Sequence, residues 1–292
     1  MAKAIVGVIG GSGVYDLPGL RGLREERIST PWGDPSDSLR MGRVGGAEAV
    51  FLARHGRGHR FSPSTINYRA NIDALKRAGV TDIIALSACG SFHRELYPGM
   101  FVMIDQFEDR TYLRQSSFFG TGCVAHVSMA HPIAPLLRKR LFAAAEAEAI
   151  PCRDGGTYVC IEGPQFSSLA ESLGFQARGA DVIGMTGATE AKLAREAEIS
   201  YATVAMVTDY DCWHEEHGAV DVAAVLKVLA ANADRANALV ARALSEFPAE
   251  HEACPVGSDR SLDYAVITHP SQRDPDLVKK LDAVAGRILR GG

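Results

Sequence analysis

The chain has 292 residues and a formal net charge of −4, with 47% hydrophobic and 23% charged residues. This composition is that of an ordinary globular protein, and without a basic excess neither nucleic acid nor an anionic membrane surface is an expected partner. Six scattered cysteines without a Cys-x-x-Cys pair favour reduced thiols inside a cell. The apolar stretch 4–9 is too short for a signal peptide, and no stretch approaches the ~20 apolar residues of a membrane span. We therefore expect a cytoplasmic protein.

Short β-branched runs alternate with longer amphipathic stretches, which predicts an α/β fold with a mainly parallel or mixed sheet covered by helices. The runs that predict strands are 4–9, 49–53, 82–87, 101–105, 156–161, 181–185 and 201–208. The periodicity predicts helices over 64–78, 133–149, 168–176, 189–197 and 221–247, and one more over 274–289. We read 1–292 as a single domain, because the tail 250–292 is too short for its own core and carries a closing helix.

A glycine-rich turn, Gly10-Gly11-Ser12-Gly13, follows the first predicted strand. Its backbone N–H groups and the Ser12 hydroxyl can hold a phosphate, although a tight turn explains the glycines equally well. A dinucleotide-dependent oxidoreductase would need a helix directly after the glycines and an acidic residue ending the next strand. Pro18 follows closely instead, and the next predicted strand ends in Ala53-Arg54. These departures disfavour the oxidoreductase.

The segment 54–59 is a second loop after a predicted strand. Arg54 offers a planar fork of donors suited to phosphate oxygens, and His55 can add another donor. A metal site formed by His55 and His59 would need a helix, which Gly56 and Gly58 disfavour. Taken alone, the segment is also explained as a solvated basic loop.

Two more predicted strand ends carry a hydroxyl with free backbone N–H groups. They are Ser87-Ala88-Cys89-Gly90 and Met185-Thr186-Gly187, and we place both at strand-to-helix junctions, where the helix dipole favours an anion. Each is explained separately as an N-cap or a turn. Because four such segments follow predicted strands, we predict that they form one phosphate pocket.

The segment 162–167 follows the fifth predicted strand and contains Phe166. An aromatic ring in a loop can stack on a flat base, which is worth ~1–3 kcal/mol. A position in the hydrophobic core is nevertheless the commoner fate of a phenylalanine.

Two carboxylates, Asp209 and Asp211, come directly after the apolar run 202–207. Ligands of open α/β sheets bind at the carboxyl ends of strands, and apolar walls there can raise the pKa of a carboxyl until it donates a proton. A metal site made of these two residues with His214 and His217 is disfavoured, because the mixed spacing lacks a preformed helix. The sequence therefore predicts a site that protonates its substrate.

Several motifs in a fixed order extend this interpretation: GVIGGSG, FLARHGRGH, NYRANIDALK, ACGS, IDQFEDRT, IEGPQFSS, ADVIGMT and TDYDCW. From Ile5 to about Phe247 the sequence resembles the methylthioadenosine phosphorylase family, in the trimeric branch of the purine nucleoside phosphorylases. The resemblance implies a central mixed β-sheet, partly curled into a barrel and flanked by helices, in a homotrimer. It also implies that phosphate cleaves methylthioadenosine to adenine and 5-methylthioribose 1-phosphate, without a metal or an organic cofactor.

The resemblance also implies roles for individual residues. Phosphate would be bound by Ser12, Arg54, His55, Ser87, the Ala88 backbone and Thr186. The nucleoside would be bound by Phe166, Ser167, Met185, Asp209, Asp211, Val222 and, from a neighbouring subunit, His126. Asp209 would be catalytic, as the acid that neutralises the base through N7. Two alternatives stay open: a trimeric phosphorylase acting on methylthioinosine, inosine or guanosine, and a non-catalytic nucleoside-binding module.

Overall fold

The computed structural model describes residues 2–11, 17, 19–215 and 222–290. Ser12 lies outside the described residues, and so does the side chain of Val222. No helix of the described part is both long enough and apolar enough to cross a membrane.

The described part contains a single mixed sheet of eleven strands flanked by helices. The strands are β1 Ile5–Gly10, β2 Arg21–Glu26, β3 Leu39–Val44, β4 Ala47–Ala53, β5 Asp82–Ser91, β6 Phe101–Met103, β7 Gln106–Arg110, β8 Cys152–Asp154, β9 Thr157–Ile161, β10 Val182–Gly184 and β11 Ser200–Asp209. The helices are α1 Tyr68–Arg77, α2 Pro135–Ala147, α3 Leu169–Ala177, α4 Gly187–Glu196, α5 Val222–Ser245, α6 Pro275–Lys280 and α7 Gly286–Leu289. The predicted α/β class with a mixed sheet is confirmed.

Strand β5 organises the sheet because three other strands pair with it. Residues 82–85 pair in parallel with β1, and the opposite edge pairs in parallel with β11 over 82–90. Strand β4 adds in parallel to the far side of β1. The carboxyl ends of β1, β4, β5 and β11 therefore meet at one edge of the sheet, where ligands of α/β folds bind.

Strand β10 pairs with the end of β5 in the antiparallel direction, with Val182 opposite Ser91 and Ile183 opposite Gly90. The chain beyond β10 therefore returns along β5, which brings Met185 and Thr186 towards Ser87. This reversal joins the predicted segments 87–90 and 185–187 at one place.

The strand end predicted at Ser87 is wrong, and so is the helix junction expected there. Strand β5 continues to Ser91, and the next regular element is strand β6. The Ala-Cys-Gly sequence has weak strand propensity, but pairing with β11 and β10 supplies hydrogen-bond partners for this stretch. The junction predicted at 185–187 does exist, because β10 ends at Gly184 and α4 begins at Gly187.

Four strands were missed in the sequence: β2, β3, β7 and β8. All six residues of β2 are exposed, and β7 consists of polar residues around one phenylalanine. Neither shows the apolar alternation that marks a half-buried strand. Both are strands because β3 and β9 supply partners for their backbones.

Helix α3 begins after a capping box that ends the loop 163–168. The Ser168 side chain accepts from the Glu171 backbone N–H, and the Glu171 carboxylate accepts from the Ser168 N–H at 2.8 Å. These bonds satisfy backbone donors that the first turn leaves unpaired. The cap also fixes where the loop carrying Phe166 and Ser167 ends.

The tail packs onto the main body, and its predicted helix is divided. Residues 274–289 form α6 and α7, and in the turn between them Leu281, Val284 and Ala285 are buried. Asp282 in that turn binds Arg77 at the end of α1. The tail contributes to the common core, and the single domain stays a prediction. The closing role of residues 274–289 stays a prediction.

Candidate active site

A cavity of about 350 Å³ opens at the carboxyl ends of β4, β5 and β11, beside the start of α4. Its lining includes ten of the residues predicted from the sequence: Arg54, His55, Ser87, Ala88, Phe166, Ser167, Met185, Thr186, Asp209 and Asp211. Gly11, the neighbour of Ser12, also lines it. Loops that are distant in sequence therefore meet around one space.

His126 does not line this cavity in its own chain. Its backbone N–H donates to the Ala265 carbonyl at 2.9 Å, and Ala125 forms an isolated bridge with Val266. The segment that carries His126 is therefore fastened to the tail of the chain.

Arg54 is buried in the lining of the cavity, and part of its guanidinium already bonds to the protein. Nε and Nη2 donate to the two carboxylate oxygens of Glu190 at 2.5 and 3.0 Å, and Nη1 donates to the Leu86 carbonyl at 2.8 Å. Burial opposes the charge of Arg54, but the Glu190 carboxylate raises the pKa of Arg54 above its usual value. A guanidinium has five N–H donors, so two remain without a partner in the described part.

Glu190 was missed in the sequence analysis. It lies in the first turn of α4, where a helix favours negative charge, and it is 2% exposed. One of its oxygens also accepts from the Tyr201 hydroxyl at 3.0 Å, which in turn accepts from Thr203 at 2.7 Å. This buried chain of bonds holds the Arg54 guanidinium in one orientation. In the sequence, the only signal for Glu190 is that an acidic residue stands three positions after Gly187, near the start of a helix.

The His55 imidazole beside Arg54 is largely buried. Burial, with a further contribution from the Arg54 charge, lowers the pKa of His55 to about 4. Nδ1 lies 2.8 Å from the Phe61 carbonyl oxygen, so Nδ1 carries the proton of the neutral ring. The ring stacks on His59 with 4.1 Å between centroids. Neutral His55 therefore offers Nε2 as an acceptor, and not the donor expected from the sequence.

Ser87 and Thr186 are linked through Tyr158. The Ser87 and Tyr158 hydroxyl oxygens lie 3.1 Å apart, and the Tyr158 hydroxyl accepts from the Thr186 N–H at 3.4 Å. A Cβ at Gly184 would overlap Tyr158, so only glycine fits there. The Thr186 hydroxyl makes no capping bond with α4, and Ala88 is the exposed residue of β5. Hydroxyl and backbone groups thus border the Arg54 end of the cavity.

The two aspartates lie against Gly90, four residues along β5 from the Leu86 carbonyl that binds Arg54, and their environments differ. The oxygens of Asp209 accept from the Asp211 N–H at 2.8 Å and from the Thr208 hydroxyl at 2.7 Å. Burial raises the pKa of Asp211, and its Oδ2 finds no partner among the described residues. A Cβ at Gly90 would lie 2.9 Å from Asp209 Oδ1, so a glycine at this position makes room for the carboxylate.

A second cavity of about 490 Å³ adjoins the first and shares Phe166 and Ser167 with it. Exposed apolar side chains lie in the segments that border this cavity: Tyr112 and Phe166 line it, Leu113 follows Tyr112, and Leu169 and Leu173 lie one turn apart on α3. We call these five residues the rim patch. Phe166 is 47% exposed, so the expectation of a loop aromatic at the cavity agrees with its position.

Comparison with known proteins agrees with the fold. The profile of the phosphorylase superfamily matches residues 5–245. The S-methyl-5′-thioadenosine phosphorylase of Bradyrhizobium diazoefficiens is 66% identical, over 100% of both chains. That of Rhodospirillum rubrum is 57% identical, over 98% of both.

Solved structures give the same relationship. A methylthioadenosine phosphorylase from an antarctic soil metagenomic library is 43% identical with a TM-score of 0.91, covering 97% of this chain and 99% of that chain. A Schistosoma mansoni methylthioadenosine phosphorylase in complex with adenine is 39% identical with a TM-score of 0.78, covering 83% and 91%. The chain belongs to the phosphorylase superfamily.

Proposed function

We propose that this chain cleaves 5′-methylthioadenosine with inorganic phosphate, releasing adenine and 5-methylthioribose 1-phosphate. The observation that carries the proposal is the single cavity lined both by Arg54, which bonds to the Leu86 carbonyl of β5, and by Asp209 and Asp211, which lie against Gly90 four residues further along that strand. A cationic, hydroxyl-lined end suits phosphate, and a carboxyl end suits the N6/N7 edge of adenine. The names of the relatives point to the same reaction.

The phosphate end consists, in this proposal, of Ser12, Arg54, His55, Ser87, the Ala88 backbone and Thr186. The two N–H groups that Arg54 keeps free would bind phosphate oxygens, and the start of α4 adds a favourable dipole. His55 Nε2 would accept from the protonated oxygen of hydrogen phosphate. Phosphate held there is itself the nucleophile, so the proposed reaction requires neither a metal nor an organic cofactor.

At the base end, Phe166 and Ser167 would line the purine, Met185 the ribose, and Val222 the methylthio group. Asp209 and Asp211 would hold the N6/N7 edge, with Asp209 as the acid at N7. General acid catalysis of this kind contributes about 10²–10⁴-fold. Proximity of phosphate to the anomeric carbon adds to it.

We further propose a cyclic homotrimer in which His126 enters the cavity of a neighbouring subunit. A cyclic trimer needs two different surfaces that complement each other. The rim patch is one apolar surface, and Tyr264 and Ile267, beside the segment that carries His126, form a second. Tyr264 is 99% exposed, so its whole ring is available to a partner surface.

Incubation of the purified chain with methylthioadenosine should release adenine only when phosphate is present. Chromatography of both products, with a phosphate-free control, tests this. Release of adenine from adenosine should be slower, since an apolar 5′ pocket favours a thioether, although such pockets discriminate weakly. A higher kcat/KM for adenosine or methylthioinosine than for methylthioadenosine would contradict the substrate assignment.

The variant Asp209→Asn should lose about 10²–10⁴-fold in kcat on methylthioadenosine, because it removes the proposed acid. Its amide should also move the preference from 6-aminopurines towards methylthioinosine or inosine. The ratio of kcat/KM values for adenine and hypoxanthine release measures this change. The exposed Asp34→Asn is the control, and an unchanged ratio in Asp209→Asn would refute the role.

The variant Glu190→Asp keeps the charge but withdraws the carboxylate from Arg54. We expect KM for phosphate to rise about tenfold, since hydrogen bonds to charged groups are worth about 1.5–3 kcal/mol, and KM for the nucleoside to change less. Glu196→Asp is a matched control: Glu196 is also buried on α4, but it binds Ser117 and the Phe118 N–H outside the cavity. Equal phosphate KM values in the two variants would be evidence against the orienting role of Glu190.

Light scattering should give the wild-type protein three times the mass of one chain. Leu173→Glu places a charge in the rim patch, which should lower this mass and the activity together. Leu23→Glu, at an exposed leucine of β2 outside both surfaces, should leave the trimer intact. A monomeric wild-type protein with full activity would exclude the trimer and the role of His126.

A further inference from the structure

A buried guanidinium that no sequence motif singles out lies behind the walls of the cavity. Arg114 belongs to the loop after β7, and its side chain is 1% exposed. A buried arginine is rare unless its donors are satisfied. The partners of Arg114 therefore indicate what it does.

One set of partners belongs to residues 161–167, which would face the base in the proposed function and which we call the base wall. Nε donates to the Glu162 carboxylate at 3.1 Å, and Nη2 donates to the backbone carbonyls of Glu162 at 2.7 Å and Ile161 at 3.3 Å. These are the last residues before the loop that carries Phe166 and Ser167. Arg114 thus fixes the point from which the base wall begins.

Other partners belong to residues 185–190, which would face the sugar and phosphate and which we call the sugar and phosphate wall. Nη1 donates to the Met185 carbonyl, and it lies 3.3 Å from the Thr189 hydroxyl and 3.1 Å from the Tyr68 hydroxyl. Met185 lines the cavity, and Thr189 precedes Glu190, which orients Arg54. One side chain therefore bonds to both walls.

Arg114 has no donor left for a ligand. Its five N–H groups face six acceptor atoms of the protein. Any effect on the reaction must therefore pass through the walls that it holds.

Glu162 completes the arrangement as the buried counter-ion of Arg114. One of its oxygens accepts from the Ser64 hydroxyl, and the other accepts from the N–H groups of Tyr112 at 2.7 Å and Leu113 at 3.1 Å. Burial acts in the opposite direction, but these bonds and the Arg114 charge lower the pKa of Glu162 to about 2. The pair is therefore ionised at neutral pH and joins the base wall to the rim patch.

The two walls also touch directly. A Cβ at Gly163 would overlap the Met185 sulfur, and Gly163 has a φ of +66°. Only glycine combines this conformation with so close an approach. A shift of either wall therefore displaces the other.

We propose that Arg114 is a positioning residue that couples the base wall to the sugar and phosphate wall. This role rests on the phosphorolysis proposed above. Arg114 keeps the base-binding and phosphate-binding groups at a fixed separation, so that the attacking oxygen and the leaving base are aligned when both ligands are bound. A misplacement of about 1 Å at a reacting centre can cost 10²-fold in rate.

The first test compares Arg114→Lys with Arg77→Lys. Lysine keeps the charge, but a single ammonium cannot bond to both walls. Arg77 is a matched control, because it also links two segments, through Asp73 and Asp282, outside the cavity lining. We expect circular dichroism spectra of the native type for both, a fall in kcat of about 10²-fold for Arg114→Lys, and a change within about twofold for Arg77→Lys. Similar kcat values in the two variants would overturn the proposal.

The second test is a double-mutant cycle between Arg114→Lys and Thr186→Ala. If Arg114 acts through the Met185–Thr186 wall, the double variant should lose at least about fivefold less in kcat/KM than the product of the single losses. The control cycle of Arg77→Lys with Thr186→Ala should be multiplicative within about twofold. A purely structural arginine would lower stability and leave both cycles multiplicative, which would refute coupling.

Should Arg114→Lys not fold, Glu162→Gln takes its place in the same cycle, because it weakens the pair while keeping the shape of the side chain. Coupling between Glu162→Gln and Thr186→Ala supports the positioning role of Arg114, and a multiplicative cycle contradicts this role. The proposed function is judged separately by the wild-type protein. If the wild-type protein releases no adenine, the same cycle is measured through the affinity for inorganic phosphate, by calorimetry, in place of kcat/KM. This measurement still tests the coupling.

Discussion

The ten-residue strand β5 is the constraint on which the site depends, because it pairs with β1, β11 and β10 at once. Pairing with β11 places Asp209 beside Gly90, and antiparallel pairing with β10 returns the chain towards Ser87. The two ends of the cavity are therefore built on the two edges of a single strand. Backbone hydrogen bonds of a sheet fix such separations more rigidly than loops alone.

Two buried arginines beside the cavity differ in the number of N–H donors that the protein leaves free. Arg54 donates three of its five N–H groups to Glu190 and Leu86, which leaves two for a ligand. Arg114 meets six acceptors and keeps none. The same residue type is thus suited to ligand binding in one place and to holding walls in the other. Burial alone does not distinguish the two.

The predicted elements agreed best with the structure where apolar periodicity was strong. The predicted helix 221–247 and strand 201–208 differ by one or two residues from α5 and β11. The exposed strand β2 was missed, because strand pairing and not residue pattern creates it. The end of β5 was placed too early for the same reason, since its Ala-Cys-Gly residues are strand only through their partners.

The chemistry-bearing residues of the cavity could be named from the sequence because loops after parallel strands share one edge of a sheet. Glycine turns, Arg54, Thr186 and the aspartate pair carry local signals of this kind. Tyr158 and Arg114 carry none, and Glu190 carries only its place in the first turn of α4, since an acid in a helix, a tyrosine in a strand and an arginine in a loop usually face solvent or core.

The amino-acid sequence by itself determined the α/β class, the family resemblance and the set of strand-end residues, because these follow from periodicity and short motifs. Tertiary structure alone decided which groups keep free donors and which are already bonded. It also decided that His55 presents an acceptor, because the Nδ1–H group donates to the Phe61 carbonyl and burial disfavours a second ring proton. Hydrogen-bond partners and desolvation depend on residues far apart in the chain, and no local pattern encodes them.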